Sequence, residues 1–405
     1  MFSLIKLSKA AKYSNKRTEA KNVSLNNFIT TDNILQNKAG VTKATNLPPS
    51  NSAMPAYGNN DILVANIRPY LKKIWHSKQS GGCSADVLVF EVNKDFDPKF
   101  IFYSLFRDDF FSHMMKGAKG TKMPRGDKSQ ILDFLIPNFK LTAQQNISSV
   151  LSALDSKIEL NNRINAELEA MAKTIYDYWF VQFDFPDKNG KPYKASGGKM
   201  VYNEELKREI PEGWEAKKLS EAVEIKYGKD HKNIAVGSIP VYGSGGIMRY
   251  ADKAIYDNES ILIPRKGTLS NLFYLNKPFW SVDTMFYTKI KIEHSGKYLF
   301  YFLHSLNLAS LNAGTAVPSL TTEILNNLKI INPPFALLKN FDNTVTPMFE
   351  MKEQNTKENQ QLAELHDWLL PMLMNGQVKV GEIEDKVELR MAAEPKGVYK
   401  KTKVR

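Results

Sequence analysis

The 405-residue chain has a single cysteine, Cys83, so it can close no intrachain disulfide and offers no cysteine cluster to zinc. Its six histidines show no His-Glu-x-x-His spacing, and no metal site is expected. No run of about 18 apolar residues occurs, which removes a membrane span. Met1-Phe2-Ser3-Leu4-Ile5-Lys6 turns polar too early for a secretory leader, so a cytoplasmic protein is expected. Acid is also scarce: 43 Asp+Glu face 55 Lys+Arg, for a net charge of +12. Such an excess favours a polyanionic partner, because clustered cations release condensed counterions when they meet phosphates, although a basic protein without such a partner carries the same sign. With 42% hydrophobic and 24% charged residues the chain can build folded cores, and its length suggests two or three domains.

What is present is a repeat. Asp61-Ile-Leu-Val-Ala-Asn-Ile-Arg68 and Ser84-Ala-Asp86-Val-Leu-Val-Phe90 in the first half are echoed by Ser260-Ile-Leu-Ile-Pro-Arg265 and Ser281-Val-Asp283-Thr-Met-Phe-Tyr287 in the second. Phe100-Ile-Phe-Tyr-Ser-Leu-Phe106 is likewise echoed by Tyr298-Leu-Phe-Tyr-Phe-Leu-His304. Each copy then carries a Gly-Thr loop ending in proline, Gly120-Thr121 to Pro124 and Gly314-Thr315 to Pro318. A period this long means a duplicated domain rather than a solenoid. Each copy opens with β-branched and aromatic runs broken by Gly, Pro and Asn, the pattern of short strands.

Each copy ends in a helical stretch. Apolar residues step by four and three through Ile147, Leu151, Leu154 and Ile158, continue through Asn161, Asn165 and Leu168, and recur as Phe341, Val345, Met348, Lys352, Asn355, Asn359 and Leu362. That is a heptad seam. A helix of about 40 residues spans about 60 Å and cannot bury such a seam alone, so the two helices are expected to pair. Asn161, Asn165, Asn355 and Asn359 then fix register, unless they are exposed and merely interrupt the seam. Pro347 implies that the second helix starts or kinks there. A Pro/Gly/Lys-rich connector runs from Phe183 to Gly198, the second copy opens at Ile210-Pro-Glu-Gly-Trp214, and a charged tail follows Gly376. The expected boundaries are 1–142 and 210–335 for the two recognition domains, 143–183 and 336–376 for the helices, 184–209 for the linker and 377–405 for the tail.

Three motifs suggest catalysis without its context. Asn332-Pro-Pro-Phe335 matches the loop with which adenine-amino methyltransferases hold the target amine, but no glycine-rich turn for S-adenosylmethionine accompanies it, and the first copy has Ile136-Pro-Asn-Phe139 at this place. Pro186-Asp187 with Glu224-Ile-Lys226 loosely echoes a nuclease metal site, on a flexible support. Gly243-Ser-Gly-Gly246 lacks the Gly-Lys-Ser/Thr ending of a phosphate loop and reads as a turn. No catalytic residues are assigned.

Binding residues are easier to place. Arg68, Tyr70, Lys72 and Lys73 in the first copy, and Arg265 and Lys266 in the second, follow corresponding strands. Lys116, Lys119, Lys122 and Arg125 surround the first Gly-Thr loop, and Tyr242 and Thr315 complete the candidates. Arginine offers a bidentate fork to guanine or phosphate and lysine a point charge to phosphate, while glycine loops permit close backbone approach. One such cluster alone is usually a solvated surface; its recurrence in both copies favours nucleic acid.

Over nearly its whole length the chain resembles the specificity (S) subunits of Type I restriction-modification enzymes. The resemblance rests on Leu154-Asp-Ser-Lys-Ile-Glu-Leu-Asn-Asn-Arg-Ile-Asn165 through Tyr178-Trp-Phe-Val-Gln-Phe183, which is similar to the family's central shared region, on Ile210-Pro-Glu-Gly-Trp214, and on Glu358-Asn359 through Leu373 and Asn375-Gly376. A Gly-Trp entry is missing before the first copy. The resemblance implies an α+β fold: two duplicated α/β target-recognition domains held apart by two long antiparallel coiled-coil helices, with pseudo-two-fold symmetry. It implies a non-catalytic subunit that reads a bipartite site in double-stranded DNA, recruits two methyltransferase subunits and, through the complex, restriction subunits. It needs no cofactor of its own, since S-adenosylmethionine, ATP and Mg would belong to the partners. Two other readings stay open: a DNA adenine methyltransferase or nuclease built on Asn332-Pro333-Pro334-Phe335, and a coiled-coil scaffold that binds only proteins.

Overall fold

A computed structural model describes residues 3–49, 52–311 and 319–380. Thr315 and the tail beyond residue 380 lie outside the described residues. The chain divides into two compact units, Met1–Leu160 with Lys357–Arg405, and Asn161–Thr356. The division cuts both long helices, so each unit holds one copy of the repeat and half of each helix.

In the first unit the continuous apolar run Ile62-Leu-Val-Ala65 forms a strand buried on both faces, as such runs do. It is central in an antiparallel sheet ordered Ala11–Tyr13, Val87–Val92, Ile62–Ala65, Ile74–His76, with Ile62 opposite Phe90 and Val64 opposite Leu88. A helix, Pro98–Phe106, covers the sheet. Pro98 occupies its first turn, and the Asp97 carboxylate accepts the Phe100 N–H at 2.8 Å, capping the start. Phe90, Phe100, Phe110 and Leu151 form the core with Leu370, Leu373 and Met374. Each such side chain taken from water contributes roughly 2 kcal/mol.

The second unit repeats this order. Its antiparallel sheet runs Val223–Tyr227, Met285–Ile290, Glu259–Pro264, Phe273–Asn276, and the covering helix is Gly296–Ser305. A two-stranded ribbon leads into the long helix in both units: Ser3–Lys6 with Leu135–Asn138, and Glu215–Lys218 with Lys329–Asn332. The duplication read from the sequence is therefore a duplication of topology.

The first long helix is Leu141–Tyr176, followed by a π turn at Asp177–Val181; the second is Phe335–Met374. Seam residues Ile147, Leu151, Asn161, Phe341 and Val345 are buried. Within the first unit Lys157 pairs with Glu358 at 3.1 Å, and Leu151 packs in one cluster with Leu370 and Leu373. Within the second, Asn355 Nδ2 donates to Asn165 Oδ1 at 2.9 Å, and Lys352 meets Glu169 at 2.6 Å. One chain number rises as the other falls, so the helices run antiparallel in each unit.

Two expectations are corrected. Of the two outcomes expected at Pro347, a start there is overturned: the second helix continues through it from Phe335. Only one backbone bond is forfeited there, on an exposed face, and the hydroxyls of Thr344 and Thr346 bond back to the carbonyls of Asn340 and Asp342, each at 2.7 Å. The connector is folded rather than loose. The Phe185 ring stacks on Tyr193 and Trp214 with centroids 4.7 and 5.1 Å apart, and Met200–Asn203 forms a hairpin with Arg208–Pro211. Phe183 takes a left-handed φ of 64°, costly for an aromatic residue, and burial of its ring beneath Arg208 holds it there.

Candidate nucleic-acid interface

In the first unit, the central strand leaves the sheet at Ala65 and the chain turns through Arg68 and Lys72, both in the left-handed region (φ 52° and 51°), around a tight turn at Pro69–Leu71. Left-handed backbone at non-glycine residues costs about 1 kcal/mol each, so the loop is held by its neighbours. Arg68 N–H donates to Pro124 O at 2.8 Å, and the backbones of Lys119 and Arg125 exchange two bonds of 2.9 Å across the Gly-Thr loop. The turn before Val87 joins them, since Asn66 N–H donates to Asp86 O at 2.8 Å. The structure thus brings Arg68, Tyr70, Lys119, Lys122 and Arg125 together on three tied loops, all with exposed side chains.

Carboxylates orient part of this cluster. Arg125 reaches Asp86 at 3.0 Å, and Lys119 approaches Asp127 at 3.6 Å. Lys72 and Lys38 both hold Asp108 at 2.8 Å, and hydrogen bonds from these two ammonium groups keep its carboxyl below the usual carboxylate range. Asp127 is drawn down to about 2 by the Ser129 hydroxyl and the backbone N–H groups of Gln130 and Ser129. Lys73 donates to the Thr31 carbonyl and is only half exposed, so it ties two loops together. Lys116 lies outside this group, on the wall of a separate groove of about 660 Å³ with Arg107, Asp109 and His113.

The second unit builds the same corner differently. Arg265 N–H donates to Thr284 O at 2.8 Å, the Arg265 guanidinium donates to Asp283 O at 3.1 Å, and it lies 5.4 Å above the Tyr227 ring. Lys266 is exposed and forms a bridge with Ser319. That bridge matches the one between Ile67 and Arg125 in the first unit. Arg265 therefore stands where Asn66 does. Arg68 and Arg265 share a loop but not a register position, a correction to their expected equivalence. Tyr242 is 7% exposed and packs its ring 5.3 Å from Phe273, so the structure places it in the core, apart from these cations.

The seam asparagines divide by burial: Asn161 is 1% exposed, while Asn165, Asn355 and Asn359 are half-buried. Sequence reasoning missed Asp86, Asp108 and Tyr227. The repeated Ser-x-Asp of Ser84 to Asp86 and Ser281 to Asp283 was the available signal for the first.

The catalytic motifs fall to structural roles. Asn332 ends a strand and Phe335 opens the long helix, with Pro334 O accepting the Leu337 and Leu338 N–H groups. Asp187 accepts the N–H groups of Asn189 and Lys191 within a turn, and Glu224 pairs with Lys226 along one strand. Ser244 and Gly245 form the turn of a hairpin. Among the described residues, no group of three His, Cys, Asp or Glu is placed to hold a metal, and no helix is long and apolar enough to cross a membrane.

Comparison with known proteins adds the family. The model of the Type I restriction modification DNA specificity domain matches twice, at residues 3–170 and 211–354. The MjaIX specificity subunit of Methanocaldococcus jannaschii is 27% identical over 309 residues, covering 69% of each chain. The HindI specificity subunit of Haemophilus influenzae is 24% identical over 442 residues, covering 87% of this chain and 94% of its own. The fold is that of the S subunit of a Type I restriction-modification system from M. genitalium, with a TM-score of 0.62 at 15% identity over 92% of this chain and 96% of that one.

Proposed function

The chain belongs to the Type I restriction modification DNA specificity family, and on that premise we propose that it is the DNA-reading subunit of a Type I restriction-modification complex. The observation that carries this reading is the paired match of the specificity domain to the two topological copies, each ending its central strand in a cationic loop. Each unit reads one half of a bipartite site in double-stranded DNA. Exposed Arg68, Lys119, Lys122 and Arg125 in one unit, and Lys266 with Arg265 in the other, supply the contacts. Phosphate contacts give affinity and register, and base-edge contacts give sequence.

The chain is a recognition subunit and not an enzyme. Methyl transfer, translocation and cleavage fall to two methyltransferase subunits and to restriction subunits, so S-adenosylmethionine, ATP and Mg are used by those partners, in the cytoplasm where the DNA lies. The paired long helices are the surface for the methyltransferase subunits, and their length sets the spacer between half-sites. The single-chain methyltransferase or nuclease reading is not favoured, because its tetrapeptide serves as a strand-to-helix junction.

Expressing the methyltransferase subunits with and without this chain, and mapping methylated positions across the genome, tests the function. Methylation at one bipartite motif only when the chain is present is the expected result. Motif-specific methylation without the chain, or labelling of the isolated chain by cross-linked S-adenosylmethionine, would refute it.

A further inference from the structure

The DNA-reading corner of the second unit carries an element that, among the described residues, its counterpart in the first does not. Strands Ile239–Gly243 and Gly246–Ala251 form a hairpin whose second strand is the free edge of a three-stranded sheet. Directly after the turn, Ile247 is 50% and Met248 59% exposed, with Tyr250 following at 40%. Scattered apolar side chains are ordinary on a surface, but two large ones in succession at a tip are not. The turn is built to present them. Met248 Sδ lies 2.5 Å from where a Cβ on Gly243 would stand, so the thioether packs over the turn, and Gly246 takes a φ of 108°, a conformation that favours glycine. Arg249 anchors the hairpin by donating to the carbonyls of His231 and Ile234 at 2.6 and 2.7 Å.

The tip is continuous with the cationic loop. Asn271 Nδ2 donates to Ser244 O at 2.9 Å, and Ser244 Oγ would be 3.1 Å from a Cβ on Gly267, the residue after Lys266. In the first unit the same place is closed. The Lys73 ammonium donates to Thr31 O much as Asn271 does to Ser244 O, and the chain following Thr31 folds back: the Asn33 amide bonds Phe28 O and Thr42 O, and Ile34 is fully buried.

We propose that Ile247 and Met248 form an apolar base-contacting tip that gives the second unit part of its sequence discrimination. This deepens the DNA-reading function proposed above and rests on it. The exposed Lys266 ammonium attracts phosphate, which carries no sequence information. Two apolar side chains on a tip tied to the Lys266 loop gain nothing from phosphate. They gain from the apolar features of base pairs in a groove, above all the thymine methyl.

The test uses the full chain in complex with its methyltransferase subunits. DNA carrying the methylated motif competes against DNA with either half-site scrambled, over a series of salt concentrations. Ile247→Ser with Met248→Ser should melt like wild type, lose discrimination at one half-site by about tenfold or more, and leave the slope of log affinity against log salt unchanged. The apolar pair Ile247→Val with Met248→Leu should retain discrimination at both half-sites. Wild-type discrimination in the serine variant, or equal loss at both half-sites with a shallower salt slope, would overturn the proposal. A wild-type complex with no preference for the intact motif would overturn the underlying DNA-reading function instead.

Discussion

At the residue scale, charge singled out two loops as candidates but not the partners that shape them. Arg68 and Arg265 were legible because each follows an apolar strand. Their registers differ because a strand's exit depends on bonds to remote loops, here Pro124 and Thr284, which local sequence does not reveal. Tyr242 looked like a binding residue until its packing against Phe273 was visible. Replacing Arg68 or Arg265 with alanine should each weaken recognition of one half-site by about 1–3 kcal/mol if the side chain contacts bases, with circular dichroism unchanged. A folded Arg265→Ala protein with wild-type affinity and preference would contradict the contact. His76 offers a separate test. Burial against Phe102, with Lys99 nearby, pulls its imidazole from 6.5 down to about 4. The native state therefore prefers the neutral ring. This contribution to stability is complete above about pH 6.5 and is lost as pH falls toward 4. The melting temperature of the wild type should drop across that window more steeply than that of His76→Phe; parallel curves would show that the ring is not held neutral.

At the element scale, the four-and-three spacing marked a long helix in each copy, since a heptad seam is a property of local sequence. What it could not show was whether Pro347 would interrupt the second helix, which depends on exposure of that face, or that the connector would fold on an aromatic stack of Phe185, Tyr193 and Trp214. The asparagine pairing it implied is found at Asn165 and Asn355. A double-mutant cycle measures that bond. Asn165→Leu leaves the Asn355 amide without its acceptor and should cost about 1–2 kcal/mol, whereas Asn165→Leu with Asn355→Leu removes both partners and should recover most of the loss. Additive losses in urea melts would mean that the two amides are independently solvated.

At the scale of the whole molecule, the duplication was the strongest signal in the sequence, and the structure bears it out as two sheets of the same strand order. The boundaries between the copies are subtler, because each compact unit borrows half of both helices. The proposal that the helices set the spacer between half-sites is open to a direct test. Inserting one heptad beside the exposed Leu160, and a matching one in the second helix, preserves the seam and lengthens each strut by about 10 Å, close to three base pairs. The methylated motif should keep its half-sites and gain a longer spacer; an unchanged spacer would show that the helices do not set it. The central claim, a two-part DNA reader, is tested most directly by selecting bound sequences from a random DNA library with the chain in complex with its methyltransferase subunits. Two short fixed blocks separated by a gap of fixed length and free sequence are predicted. A single contiguous block, or no enrichment at all, would contradict the account.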